Sequence, residues 1–338
     1  MNTVESYTAK ELKSSVSVKW CAGCGDHAML NALQRAIPET GVAKENVAVV
    51  SGIGCSSRLT YYMETYGMHT IHGRASAIAS GLKSANPDLQ VWQITGDGDC
   101  MAIGGNHFIH AIRRNIDINI ILFNNQIYGL TKGQYSPTSL KGQVTKTSPY
   151  GTIEQPFNPG ELVVGAHGQF FARAIDNNIP LIKDLFVNAA KHRGTSVVEV
   201  LQNCVIFNNG AHDYIGDRNE KEDRQIFLEH GKPMIFGKNK DKGIILKGIN
   251  LEVATIGENG ITEDDILVHD AKNSNPMIHM GLINMQAPEF PVAMGVIRDV
   301  DVETYSDLLV QQEQEISKKS TIHTMDELFM SGDVYEIK

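Results

Sequence analysis

The chain has 338 residues, 42% of them hydrophobic and 20% charged, with a formal net charge of −9. That length holds one large domain or two modest ones, and the acidic balance, with no basic run, argues against a nucleic-acid role. No apolar stretch approaches the ~20 residues that span a bilayer, and "MNTVESYTAKELKSS" lacks the apolar core of a signal peptide, so a cytoplasmic location without membrane contact is expected.

Residues 1–15 read as an N-terminal arm. "CGDHAMLNALQRAI" offers Asp26 as an N-cap before apolar residues at helical spacing. "VAVVSGIGC" reads as a buried strand that breaks at glycines, "GRASAIASGLKSA" as a small-residue helix, and "VWQITGDGD" as strand then turn. "GGNHFIHAIRRN" and "INIILFNN" follow as helix and strand, the βαβ unit of a parallel sheet. Asn158–Pro159 starts a further helix. "IPLIKDLFVNAAKHRG" is a helix ended by Gly194, and "TSVVEVLQNC" a last buried strand. Residues 16–208 therefore predict an α/β, doubly wound, mostly parallel sheet. Residues 209–338 begin with charged loops, mix short strands with helices such as "TYSDLLVQQEQEISKK", and read as a C-terminal extension.

In such a sheet, ligands bind beyond the carboxyl ends of the strands. "GDGD" ends one strand and "NN" the next, so Asp97 and Asn125 are expected to face one crevice. A carboxylate and an amide oxygen, with the main-chain carbonyl of Ile127 as a third ligand, suit Mg²⁺ beside a phosphate. The helix start near Gly104 is expected to meet a diphosphate, with Gly96 and Gly98 allowing close backbone approach. Alone, GDG is only a turn and NN only a cap. The full run from GDGD through helix and strand to NN resembles the thiamine-diphosphate signature.

There are five cysteines, an odd number that speaks against a disulfide framework. Cys21 and Cys24 form one close pair in "WCAGCGDH", while Cys55 and Cys204 lie at the ends of separate strands. Four thiolates hold either zinc or an iron–sulfur cluster. Simple burial is the alternative for Cys55 and Cys204. Cys100, at a helix head where a thiol pKa is open to lowering, is expected to be simply packed.

Together "WCAGCGDH", "GIGCSSR", "HTIHGRA", "GDGD…FNNQIYGLTKGQYSPTS" and "VLQNC" closely resemble the β subunit of the 2-oxoacid:ferredoxin oxidoreductases, and most of all the 2-oxoglutarate enzymes. The resemblance implies a thiamine-diphosphate-binding module of the diphosphate type, with Asp97, Asn125 and Ile127 on Mg²⁺. It implies Ile53, Gly54, Cys55, Ser56, Gly98, Asp99, Gly129 and Leu130 on thiamine diphosphate, with Leu130 also touching substrate; His72 reads as a donor to the diphosphate or the substrate carboxylate, with a buried structural histidine as the plain alternative. It implies one 4Fe–4S cluster on Cys21, Cys24, Cys55 and Cys204. The implied reaction is oxidative decarboxylation of 2-oxoglutarate with coenzyme A to succinyl-CoA and CO₂, electrons passing to ferredoxin, reversible in principle.

The chain shows one cofactor signature, whereas this catalysis also needs a module for the aminopyrimidine. A separate α subunit is expected to supply it, with the activating glutamate, in an αβ unit commonly paired as a dimer. Arg58, three residues after Cys55, is a partner for a distal substrate carboxylate; pairing with Glu64 is the plain alternative. His69, His107 and His110 read as structural or helix-face residues, and Lys132 as a surface lysine or a diphosphate contact. Pyruvate or another 2-oxoacid, a non-redox thiamine-diphosphate decarboxylase or carboligase, and a zinc protein without catalysis are the rival readings.

Overall fold

The computed structural model describes residues 7–337, so residues 1–6 of the expected arm lie outside the described residues. The rest of that arm is anchored: Leu12 is fully buried and Lys13 makes a β-bridge to Met63. Helix α1 (Asp26–Glu39) turns Met29, Leu33, Ala36 and Ile37 inward at helical spacing. Its N-cap is Gly25 rather than Asp26, which lies inside the first turn and is buried.

Strand β1 (Val47–Ser51) is buried along its whole length, and β2 (Tyr66–His69) forms an exposed edge beside it. Then come α2 (Ala75–Ala85), β3 (Gln90–Gly96), the short α3 (Asp97–Met101), α4 (Gly105–Arg113) and β4 (Asn119–Asn124). A long segment leads to α5 (Pro159–Gly165), where the Asn158 side chain accepts the Gly160 N–H as a cap. It is followed by β5 (Phe170–Ile175), α6 (Ile179–Lys191) and β6 (Ser196–Leu201). α6 stops at His192, two residues before the expected Gly194.

The C-terminal part contains α7 (Asp213–Gly216), α8 (Lys221–Arg224), β7 (Gln225–Leu228), β8 (Ile235–Phe236), β9 (Lys242–Lys247), β10 (Asn250–Thr255), α9 (Met277–Ile283), β11 (Val292–Asp299), α10 (Tyr305–Lys319) and α11 (Met325–Phe329).

Eight strands form one sheet in the order β2-β1-β3-β4-β6-β5-β11-β7; a second sheet joins β10, β9 and β8. Only the β5–β11 pairing in the large sheet is antiparallel. Residue 208 is therefore not a boundary between separate bodies. β7 and β11 complete the sheet begun by the N-terminal part, because β5 needs a partner on its open edge. Helices cover both faces. On β4, Ile121 and Phe123 join the core under α1 and α6, while Ile120 and Leu122 join the core under α2, α4 and α5. This two-sided burial explains why the strands read as continuous apolar runs. Among the described residues, no helix is long and apolar enough to cross a membrane.

Candidate active site

The chain leaves β1 toward β2 on one side and β3 on the other, so a crevice opens at their carboxyl ends. A cavity of about 570 Å³ occupies that place. Ile53, Gly54, Cys55, Ser56 and Arg58 reach it from the turn after β1. Asp97, Gly98 and Asp99 reach it from the end of β3. Asn125, Ile127, Gly129 and Leu130 come from the segment after β4, with His72, Cys21, Cys24 and Cys204 on the remaining walls.

Asp97 is 2% exposed. Its Oδ2 accepts hydrogen bonds from Ser136 Oγ and Thr138 Oγ1, both at 2.5 Å. Burial lifts its pKa to about 6, against the pull of those hydroxyls. Asn125 Oδ1 accepts the Ile127 N–H at 3.2 Å, and the Ile127 carbonyl accepts no hydrogen bond among the described residues. A buried carboxylate beside amide and carbonyl oxygens is a donor set that fits a small hard cation. The loop beyond is tied down. Gln126 has φ of 57°, a region unfavourable to a side chain, and its carbonyl is held by Ser139 Oγ at 2.6 Å. Tyr128 donates its hydroxyl to the Gly98 carbonyl at 2.8 Å. A Cβ on Gly98 would overlap the Tyr128 ring, so glycine is required there.

Asp99 lines the cavity, and its carboxylate is engaged within its own chain. Its Oδ1 accepts from His72 Nδ1 at 2.5 Å, Gly73 N at 2.7 Å and Ile53 N at 3.1 Å, and its Oδ2 from Thr95 Oγ1 at 2.8 Å. Both oxygens are spent on its own chain. The Asp99 side chain thereby orients His72 and the turn at Ile53, both of which face the cavity. The helix start near Gly104 departs from expectation. Gly104 is buried against Gly73, and the chain turns helical at once after β3, as α3. The backbone at the cavity is therefore that of Asp97–Asp99.

Arg58 makes no ion pair with Glu64; its Nε donates to the Tyr62 hydroxyl at 3.0 Å. His69 stacks on Tyr61 and bonds the Ser57 carbonyl at 3.2 Å, a structural placement. Lys132 is exposed, and neither it nor His107 and His110 line the cavity.

Cys21, Cys24, Cys55 and Cys204 are free thiols around one end of the cavity. Burial and the nearby Asp26, Cys204 and Cys21 push the Cys55 thiol up to about 12. Burial and Asp26 push Cys24 up as well, with Cys204 and Cys55 adding to it. Four thiols around one end of a cavity, two of them (Cys24 and Cys55) disfavoured as free anions, are a donor set suited to a cationic centre. Cys100 is buried, and burial holds its thiol well above the usual range, so the reactive reading of its helix-head position does not stand.

Several residues of the site stand within the motifs, yet their spacing alone does not disclose their role. Trp20 donates Nε1–H to the Cys55 carbonyl at 2.7 Å, and Asp26 lines the cavity rather than capping α1. Ser136 and Thr138 grip Asp97 from far along the chain. The one available signal was the hydroxyl-rich "YSPTS".

Residues 51–200 match the family described as thiamine pyrophosphate enzyme, C-terminal TPP binding domain. Fold and crevice thus define a thiamine-diphosphate-binding module. The chain is 46% identical over 306 residues to the 2-oxoglutarate oxidoreductase subunit KorB of Mycobacterium tuberculosis, covering 90% of this chain and 81% of that one. It is 47% identical over 185 residues to the 2-oxoglutarate synthase subunit KorB of Archaeoglobus fulgidus, covering 55% and 69%. Among solved structures it resembles a 2-oxoglutarate:ferredoxin oxidoreductase from Magnetococcus marinus, with 2-oxoglutarate, coenzyme A and succinyl-CoA bound. The TM-score is 0.78, with 29% identity over 98% of each chain. The chain belongs to the 2-oxoacid:ferredoxin oxidoreductase family, as a β subunit.

Proposed function

We propose that this chain, with an α subunit, carries out the CoA-dependent oxidative decarboxylation of 2-oxoglutarate and passes the electrons to ferredoxin. The observation that carries the reading is the convergence on one cavity of an oxygen donor set, four thiols and an arginine that meets no carboxylate among the described residues. When bound, thiamine diphosphate supplies the carbon nucleophile that opens a 2-oxoacid to decarboxylation, and a 4Fe–4S cluster supplies one-electron acceptance.

The protein's own work is placement. Asp97, the Asn125 amide and the Ile127 carbonyl would hold Mg²⁺, and Gly98 with Gly129 lets the backbone approach the diphosphate. Ile53, Gly54 and Ser56 form the wall against the cofactor. Cys21, Cys24, Cys55 and Cys204 would ligate the cluster. His72, held through Nδ1 by Asp99, leaves Nε2 for a ligand. The Arg58 guanidinium keeps its terminal nitrogens for the distal carboxylate of the substrate, and Leu130 lines the same space. The α subunit would bring the aminopyrimidine-binding module and its activating glutamate.

Metal analysis of the anaerobically purified αβ complex tests the reading. About four iron and four sulfide per β chain are expected from a cluster on four cysteines. Stoichiometric zinc without iron would remove the redox half of the reaction.

A further inference from the structure

Behind the oxygen donor set a chain of buried hydrogen bonds leads from the motif residues Asp97, Thr138 and Asn124 to Glu199 and Arg173, which lie outside those motifs. Thr138 Oγ1, which reaches Asp97 Oδ2, also lies 3.0 Å from Asn124 Oδ1. Asn124 Nδ2 donates to Glu199 Oε1 at 2.7 Å. Glu199 Oε2 accepts from Arg173 Nε at 2.6 Å. Arg173 uses its other nitrogens on the Ile283 carbonyl and Asn158 Oδ1, each at 3.3 Å. Glu199 is 1% exposed and Arg173 5%, directly opposite each other on β6 and β5.

An ion pair this deep is a weak source of stability. Removing two charges from water costs several kcal/mol, and apolar residues of similar volume are often as good or better. What the pair supplies is direction. An amide fits its site two ways round. A carboxylate at Glu199 accepts only, so it draws the Asn124 nitrogen toward β6 and turns the oxygen toward Thr138. Thr138 then has one proton and two acceptors, Asn124 and Asp97, and is held between them. The main chain of Asn124 is fixed as well, its carbonyl accepting from Gln202 N at 2.9 Å and His212 Nε2 at 3.0 Å. Asn125 is the next residue.

We infer that Glu199 and Arg173 are positioning residues for the divalent cation. Acting through Asn124 and Thr138, they fix the orientation of the Asp97 carboxylate. The inference rests on the Mg²⁺ reading of Asp97 and Asn125. Metal-binding sites in general depend on such outer partners, whose loss weakens affinity by about 10- to 100-fold.

The test is calorimetric titration of Mg²⁺ into the chelator-stripped αβ complex with thiamine diphosphate present. Native protein is compared with Arg173→Met/Glu199→Leu and with Glu199→Gln. Where the apolar double variant assembles, its Kd for Mg²⁺ should rise by about tenfold or more. At saturating Mg²⁺ its KM for the 2-oxoacid should stay near native. A native Kd in the double variant would make the pair merely structural and overturn the inference. If the double variant fails to assemble, Glu199→Gln decides. Weakened Mg²⁺ binding at a native melting temperature supports the inference, and a native Kd overturns it. A native complex that takes up thiamine diphosphate without any need for Mg²⁺ would instead remove the metal reading of Asp97, and the inference with it.

Discussion

Arg58 spends one guanidinium nitrogen on Tyr62 and meets no carboxylate of its own chain among the described residues. A charge-assisted hydrogen bond is worth about 1.5–3 kcal/mol, so Arg58→Ala should raise the KM for 2-oxoglutarate by about ten- to a hundredfold. The KM for pyruvate, which has no distal carboxylate, should change little. Steady-state kinetics on both substrates checks this, and an equal rise for both would dismiss the distal-carboxylate role. Asp97→Ala should abolish Mg²⁺-dependent uptake of thiamine diphosphate by the αβ complex, measured by equilibrium dialysis. Unchanged cofactor affinity would refute the metal assignment. Asp97 was readable because acid, glycines and position after a strand coincide in one short stretch. Ser136 and Thr138 were not, because a hydroxyl's role depends on what it meets, and Asp97 lies about forty residues away in sequence. Asp99 shows the converse. It stands in the motif, yet His72, Gly73 and Ile53 claim its oxygens first.

At the level of elements, four strands with buried apolar runs were plain in the sequence: β1, β3, β4 and β6 lie where "VAVV", "VWQIT", "INIILFN" and "SVVEVL" place them, whereas β5, "FFARAI", equally buried, was not read as a strand. β2 was not, since "YGMH" is an exposed edge with no alternation to betray it. The N-terminal arm read as extended because it lacks periodicity, yet Leu12 is a fully buried member of the core beneath α1. Burying a leucine and then truncating it costs about 2–5 kcal/mol. Leu12→Ala should therefore lower the denaturation midpoint markedly, as followed by circular dichroism in urea. A native midpoint would mean that the arm contributes nothing to the fold.

For the molecule as a whole, β11 decides the architecture. It enters antiparallel beside β5 and carries β7 with it, so the extension completes the sheet. The same region holds buried histidines kept neutral. His279 donates Nε2–H to the Asp270 carbonyl at 2.9 Å and accepts from Arg298 at Nδ1, at 3.0 Å. Burial lowers its pKa, and the Arg298 charge lowers it further; burial lowers that of His269 too. Each therefore stays neutral in the fold at pH values where the unfolded chain, with an ordinary pKa of about 6.5, already takes a proton. Stability from these groups is present above about pH 6.5 and is lost as pH falls toward their folded values. Urea denaturation at pH 7.5 and pH 5.5 should show a smaller acid loss for His279→Gln than for native protein. An identical loss would show that His279 carries no part of it.

The sequence by itself determined what depends on near neighbours. Apolar runs set the buried strands, helical spacing set the helices between them, and glycines and acids at strand ends marked the crevice. These follow from local backbone geometry and the period of each element. Tertiary structure alone decided which distant groups meet. It turned Asp99 toward His72, closed Ser136 and Thr138 on Asp97, set Glu199 against Arg173 and Asn124, and brought β11 to the open edge of β5. The reason is physical. A buried donor or acceptor must find a partner somewhere in three dimensions, and one-dimensional spacing does not say which.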